Sequence, residues 1–121
     1  MKTETLNRIP LITLVGQPNS GKTTLFNFLS GKNYKTVNYP GSTVEYSISR
    51  ILDKFSVNAE ILDSPGIISL IPSSPDEKIS VDSLFSHPKF GKPDIVAVTV
   101  DASQLSRHLY LVKQLIDSNF K

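Results

Sequence analysis

The sequence predicts an α/β domain, a partly parallel sheet covered by helices, and three observations predict it. Two short apolar runs, LITLV at 11–15 and DIVAVTV at 94–100, have the continuous hydrophobicity of strands buried on both faces. Each is followed by a segment whose apolar residues recur at three- and four-residue spacing, as on one face of a helix. Between them, residues 44–52 alternate apolar and polar, the pattern of a half-exposed strand.

The elements follow in order. Residues 1–10 form a polar tail, and MKTETLNR lacks the apolar centre of a signal peptide. After the first strand, residues 22–30 read as a helix with Leu25, Phe28 and Leu29 on one side, ended by Gly31. Residues 32–43 are polar and turn-rich, with Asn38, Pro40 and Gly41, and read as a loop. Val44, Tyr46, Ile48 and Leu52 then share one strand face, and a connection at Asp53 and Lys54 leads to a further strand at 57–62, a candidate hairpin. The segment 67–93 is irregular and contains four prolines. Within it Ser74, Pro75 and Glu77 mark a helix start, as cap, first helical residue and capping-box acid. The last segment, 104–117, sets Leu105, Leu109, Val112 and Ile116 on one helical face.

Composition excludes several function classes. The 121 residues suffice for at most one domain, and the 39% apolar share supports a modest core. The net charge of +2 is scattered, and aromatic and basic residues do not interleave, so a nucleic-acid or anionic-membrane partner is not expected. With no Cys there are no disulfides, thiolate metal sites or Cys nucleophiles, which suits a reducing compartment. No apolar run approaches the roughly 18 residues that cross a bilayer, and the chain alone is expected to be soluble and cytoplasmic. His87 and His108 lack ligand-spaced partners and read as surface or packing residues. Glu45, Glu60, Asp76 and Glu77 read as solvated or capping residues rather than a catalytic pair.

The segment Gly16-Gln17-Pro18-Asn19-Ser20-Gly21-Lys22-Thr23 fits G-x-x-x-x-G-K-[ST], directly after a strand and directly before a helix. Each residue type has a reason. Glycines let backbone N–H groups converge on phosphate oxygens, Lys22 brings a point charge to the β- and γ-phosphates, and Thr23 offers a hydroxyl to Mg²⁺. The helix that begins there turns its positive end to the anion. Residues 16–24, through Thr24, are therefore the candidate phosphate cradle. Thr43, in the turn-rich loop, is on its own an ordinary loop residue, and Asp63-Ser64-Pro65-Gly66 an ordinary turn. Placed in this order after a phosphate loop, they read as a second hydroxyl for the metal and γ-phosphate, a carboxylate holding Mg²⁺ through water, and an N–H for the γ-phosphate.

GQPNSGKTTLFNFLSG, NYPGSTVE, DSPGI and VDASQLSRHLYLVKQL together resemble the amino-terminal GTPase domain of the bacterial ferrous iron transport protein B (FeoB) family, over roughly Leu11 to Leu115. The phosphate loop is common to many GTPases, and the switch segment and the 101–111 segment carry the specificity. The resemblance implies a P-loop NTPase fold of the Ras-like G-domain type, with the strands at 44–52, 57–62, 11–15 and 94–100 side by side in the order 2-3-1-4. It implies GTP and GDP as ligands with Mg²⁺, Lys22, Thr43 and Gly66 at the chemistry, and Thr23, Thr43 and Asp63 around the metal. Asn19 matches the Asn that marks potassium-activated members of the wider group, where K⁺ stands in for an arginine finger. Read without the resemblance, Asn19 is a turn-stabilising residue. The residue after Gly66 is Ile67 rather than the Gln that orients water in other GTPases.

The departures matter as well. The guanine-reading Asn-x-x-Asp occurs nowhere in the chain, which stops at LIDSNFK, where the family's next strand would begin. Residues 11–121 are therefore expected to be the front part of a G domain. The helical spacer and membrane permease that follow in the family, at the cytoplasmic face of the bacterial inner membrane, lie beyond it. The strand at 94–100 is then an open edge inviting self-association. Two functions stay open: a GTP-hydrolysing regulatory domain of a ferrous iron transporter, or a non-catalytic remnant with weak or unselective nucleotide binding.

Overall fold

The computed structural model describes residues 9–18 and 20–121, so most of the N-terminal tail and Asn19, with its expected K⁺ role, lie outside the described residues. Among the described residues one open sheet is formed by β1 (Leu11–Gly16), β2 (Lys35–Asn38), β3 (Glu45–Arg50), β4 (Glu60–Asp63) and β5 (Ile95–Thr99), in the order β2-β3-β4-β1-β5. β1 pairs in parallel with β4 and β5, and β2, β3 and β4 form an antiparallel meander. The four expected strands thus stand in the expected order, with the hairpin at β3 and β4. The helices are α1 (Lys22–Ser30), α2 (Pro75–Phe85) and α3 (Leu105–Asp117).

Period-two alternation in β1 divides the core between the two sheet faces. Leu14 packs with Phe26 of α1, Ile51, Ala59 and Ile61 on one face. On the other, Val15 joins Ile67, Val81, Leu84, Leu111 and Leu115 of the α2 and α3 layer. Leu11 on that same face joins Tyr39, Val44, Tyr46 and Leu62. The result is three layers, helix on sheet on helix.

The start of α2 follows the sequence reading. The Ser74 Oγ accepts the Glu77 N–H at 3.1 Å, and Glu77 Oε1 accepts the Ser73 N–H at 2.9 Å, with Pro75 in the first turn. These bonds from Ser73 hold the Glu77 carboxyl below its ordinary range.

Four expectations are corrected. The loop read at 32–43 contains β2, a four-residue edge strand paired only with β3. In α1 the expected Leu25 and Leu29 do pack on the core, but the most buried stripe is Lys22, Phe26 and Ser30, and Phe28 is 59% exposed with its ring leaning on Phe55 at 5.2 Å. In α3 the buried stripe is His108, Leu111 and Leu115, while Leu105, Leu109 and Ile116 are exposed. His108 is turned inward because its Nδ1 accepts the Asp101 N–H at 2.9 Å. Finally, β5 is not buried on both faces: Ile95 is 46% exposed and the rest of the strand is half-buried, and among the described residues β5 is an edge strand paired with β1 alone, with the Val96 N–H meeting the Lys121 carbonyl on its open side.

Both histidines are packing residues, as expected. His87 is buried among the rings of Tyr39, Tyr46 and Phe90, and its Nδ1 accepts the Lys89 N–H at 3.0 Å.

Candidate nucleotide site

The loop between β1 and α1 is held from three sides. Its turn closes through the Ser20 N–H on the Gln17 carbonyl at 3.2 Å. The Ser20 hydroxyl meets the Thr99 hydroxyl at the end of β5 at 2.6 Å, and Gln17 Nε2 donates to the Arg107 carbonyl of α3 at 3.3 Å. From the third side, the Ile67 N–H donates to the Gly16 carbonyl at 3.0 Å. That contact brings Gly66 against the loop so closely that a Cβ there would lie 2.8 Å from the Pro18 nitrogen. Gly21, the residue before α1, has φ +90°, a conformation that side chains rarely adopt.

The first turn of α1 has neither a side-chain cap nor an acidic residue. Among the described residues no side chain compensates its leading N–H groups or the positive end of the helix dipole, as suits an anion. Lys22, on the inward stripe, donates to Asp63 Oδ1 at the end of β4 and to the Ser64 carbonyl beyond it. Burial of that ammonium is tolerable because a carboxylate and a carbonyl meet it.

In front of this pair opens a cavity of about 370 Å³. Its lining includes Gln17, Pro18, Gly21, Lys22, Thr23 and Thr24 from the loop and α1, and Asp63, Ser64, Pro65 and Gly66 from the end of β4. The structure therefore brings together most of the residues singled out in the sequence. Gly16 and Ser20 support the loop from behind and do not line the cavity. Thr43 is exposed in the bend before β3 and is not among the lining residues.

Two lining residues were missed, Glu45 and Ser47 of β3. The signal existed: if Val44, Tyr46 and Ile48 face one side of the sheet, Glu45 and Ser47 face the other, the α1 side. Thr99 and Arg107 carry no such signal, because they act on the loop from distant parts of the chain.

Strand, glycine-rich loop and helix, with a carboxylate turn from the neighbouring strand closing on the Lys, define a P-loop fold of the GTPase type. The family described as Ferrous iron transport protein B matches residues 11–121, and the chain belongs to that family, as part of its amino-terminal G-domain. It is 42% identical over 109 residues to the Fe(2+) transporter FeoB of Methanocaldococcus jannaschii, a match covering 88% of this chain and 15% of the relative. With the Fe(2+) transporter FeoB of Escherichia coli strain K12 it shares 41% identity over 113 residues, 88% of this chain and 14% of that protein. Among solved structures, the GDP-bound A143S mutant of the S. thermophilus FeoB G-domain superposes with a TM-score of 0.77 at 44% identity, covering 90% of this chain and 40% of that one. NFeoB from S. thermophilus bound to GDP, AlF4⁻ and K⁺ does so with a TM-score of 0.72, at 44% identity, covering 91% and 40%. The chain thus spans about one seventh of the transporters it matches. Among the described residues, no helix is long and apolar enough to cross a membrane.

Proposed function

We propose that this chain is the front part of a guanine-nucleotide switch that hydrolyses GTP and regulates Fe²⁺ passage through a membrane permease in a longer protein, from the cytoplasmic face of the membrane. One observation carries the reading: Lys22, Thr23 and Asp63 converge on one cavity at the uncapped start of α1. A polyphosphate there would compete with Asp63 for the Lys22 ammonium, so ligand arrival and a change at Asp63 are linked. The donor set suits Mg²⁺, since Thr23 and Asp63 offer hard oxygens, and among the described residues no cluster of three His, Cys, Asp or Glu would hold a metal without help. Bound Mg²⁺ would supply charge neutralisation on the phosphates.

The Ile67 side chain is buried in the core beside Val15, so the residue after Gly66 is not available to orient water. That supports a reading in which a monovalent cation, with Asn19 as its candidate ligand, supplies the charge that other GTPases take from an arginine. Thr43 would join the site by movement of its loop.

The test is thermal unfolding of the chain with Mg²⁺ and GDP, GTP, ADP or ATP, in KCl and again in NaCl. Nucleotide at a hundredfold excess over its dissociation constant adds about 2.7 kcal/mol, an easily read shift. A shift with nucleotide is expected, and one with guanine nucleotides alone would mean that the chain selects the base without the Asn-x-x-Asp segment. Equal shifts with all four would leave a phosphate cradle without base selectivity, and no shift with any would overturn the reading.

A further inference from the structure

Beneath the candidate site lies a polar chain that the nucleotide reading does not use. Tyr39 is 2% exposed, yet its hydroxyl lies 3.0 Å from the Ser64 hydroxyl and 3.0 Å from that of Ser83 in α2. Its ring is fixed by Tyr46 at 4.8 Å and His87 at 5.4 Å. Its backbone closes the loop that carries Thr43: the Tyr39 N–H donates to the Val44 carbonyl at 2.9 Å, and the Tyr39 carbonyl accepts the Ser42 N–H at 3.1 Å.

Counting protons gives the chain a direction. The Ser83 hydroxyl donates to the Ser80 carbonyl at 2.9 Å, and a carbonyl can only accept. With its one proton spent there, Ser83 accepts from Tyr39. Tyr39 has then spent its own proton, so its 3.0 Å contact with Ser64 needs the Ser64 proton; the Ser80 hydroxyl also lies in reach of that proton, but at 3.4 Å, and the shorter contact takes it. Ser64 in turn is the residue whose carbonyl receives the Lys22 ammonium. From Lys22 to the backbone of α2 the contacts are continuous, and Tyr39 is the link that also holds the Thr43 loop.

We propose that Tyr39 is a positioning residue that couples the Thr43 loop to α2 through Ser64 and Ser83, so that these two segments, joined to the cavity lining at Ser64, move as one. Its consequence for nucleotide binding rests on the reading in the preceding section, but the coupling itself does not. When phosphate draws Lys22 away from Asp63 and Ser64, the displacement at Ser64 reaches the Thr43 loop through the Tyr39 hydroxyl, and α2 through that hydroxyl and the longer contact with Ser80. A pair of segments joined only through the ligand would lack this link.

The experiment uses hydrogen exchange of the 121-residue chain without nucleotide, comparing wild type, Tyr39→Phe, Ser83→Ala and the double variant. Tyr39→Phe keeps the ring and removes only the hydroxyl. Loss of one such hydrogen bond corresponds to about fivefold faster local opening. The expected result is reciprocal: Tyr39→Phe speeds exchange in 75–85, Ser83→Ala speeds it in 39–44, and the double variant exceeds neither single one by more than twofold. Effects confined to the mutated segment, or effects that multiply in the double variant, overturn the proposal. Should Tyr39→Phe fail to fold, Ser83→Ala reports on the same link from the other end. In a second arm, Tyr39→Phe changes the ratio of affinities for a non-hydrolysable GTP analogue and GDP by about fivefold. If wild type binds neither nucleotide, the nucleotide reading falls while the exchange data still decide the coupling.

Discussion

His87 offers a stability prediction whose size follows from its surroundings. The imidazole is enclosed by the rings of Tyr39, Tyr46 and Phe90. Its Nδ1 accepts the Lys89 and Phe90 N–H groups, which places the ring hydrogen on Nε2, and that atom has no hydrogen-bond partner among the described residues. Burial first, and the nearby Lys89 charge second, lower its pKa from the ordinary 6.5 to about 4. Between those values the unfolded chain takes up a proton that the folded chain refuses. The stability due to a neutral His87 is therefore complete above about pH 6.5, declines as pH falls, and is gone below about 4. At about 1.4 kcal/mol per unit the whole window is worth about 3 kcal/mol, of which about 2 kcal/mol falls above pH 4.5. The assay is urea unfolding of wild type and His87→Gln at several pH values from 7.5 to 4.5. Wild type should lose about 2 kcal/mol more than the variant over that range. Asp101, held low by its bonds from Ser103, is common to both proteins and cancels. Parallel pH profiles would refute the reasoning, because they would mean that His87 protonates in place.

Two further outcomes follow from the geometry. Gly66→Ala would drive a Cβ into the Pro18 nitrogen, and the loop must shift, so GDP and GTP should both bind at least tenfold more weakly in equilibrium titration; loss of GTP binding alone would refute the close-approach argument. Ser74→Ala removes the acceptor of the Glu77 N–H at the start of α2 and should cost about 1 kcal/mol in urea unfolding; no change would mean that Ser73 and Glu77 hold the helix start without it.

What could be read from the sequence, and what could not, separates along physical lines. β1, α1 and the turn at Asp63 were legible because hydrophobic continuity, glycine placement and the Lys-Thr pair are local signals that the fold does not override. β2 was not, because a four-residue edge strand made of Lys35, Thr36, Val37 and Asn38 is stabilised by pairing with β3, and its residues barely touch the core. The helix faces failed for a more instructive reason. Apolar periodicity in α1 points to Leu25, Phe28 and Leu29, of which Leu25 and Leu29 pack on the core, but the most buried stripe is Lys22, Phe26 and Ser30, and Lys22 is there because Asp63 and Ser64 receive it. In α3 the stripe of Leu105, Leu109 and Ile116 is left exposed, while His108 faces inward and receives the Asp101 N–H. In both helices the buried stripe contains a polar residue with a specific partner, which a count of apolar residues discards. A helix whose apolar stripe and buried stripe disagree therefore directs attention to the polar residue responsible. In α1 that residue is the lysine of the nucleotide site. In α3 it is His108, which holds Asp101 just beyond β5, the strand whose Thr99 braces the phosphate loop. The two disagreements thus lead to opposite sides of the same loop: one residue facing the ligand cavity, the other fixing the strand end that supports it.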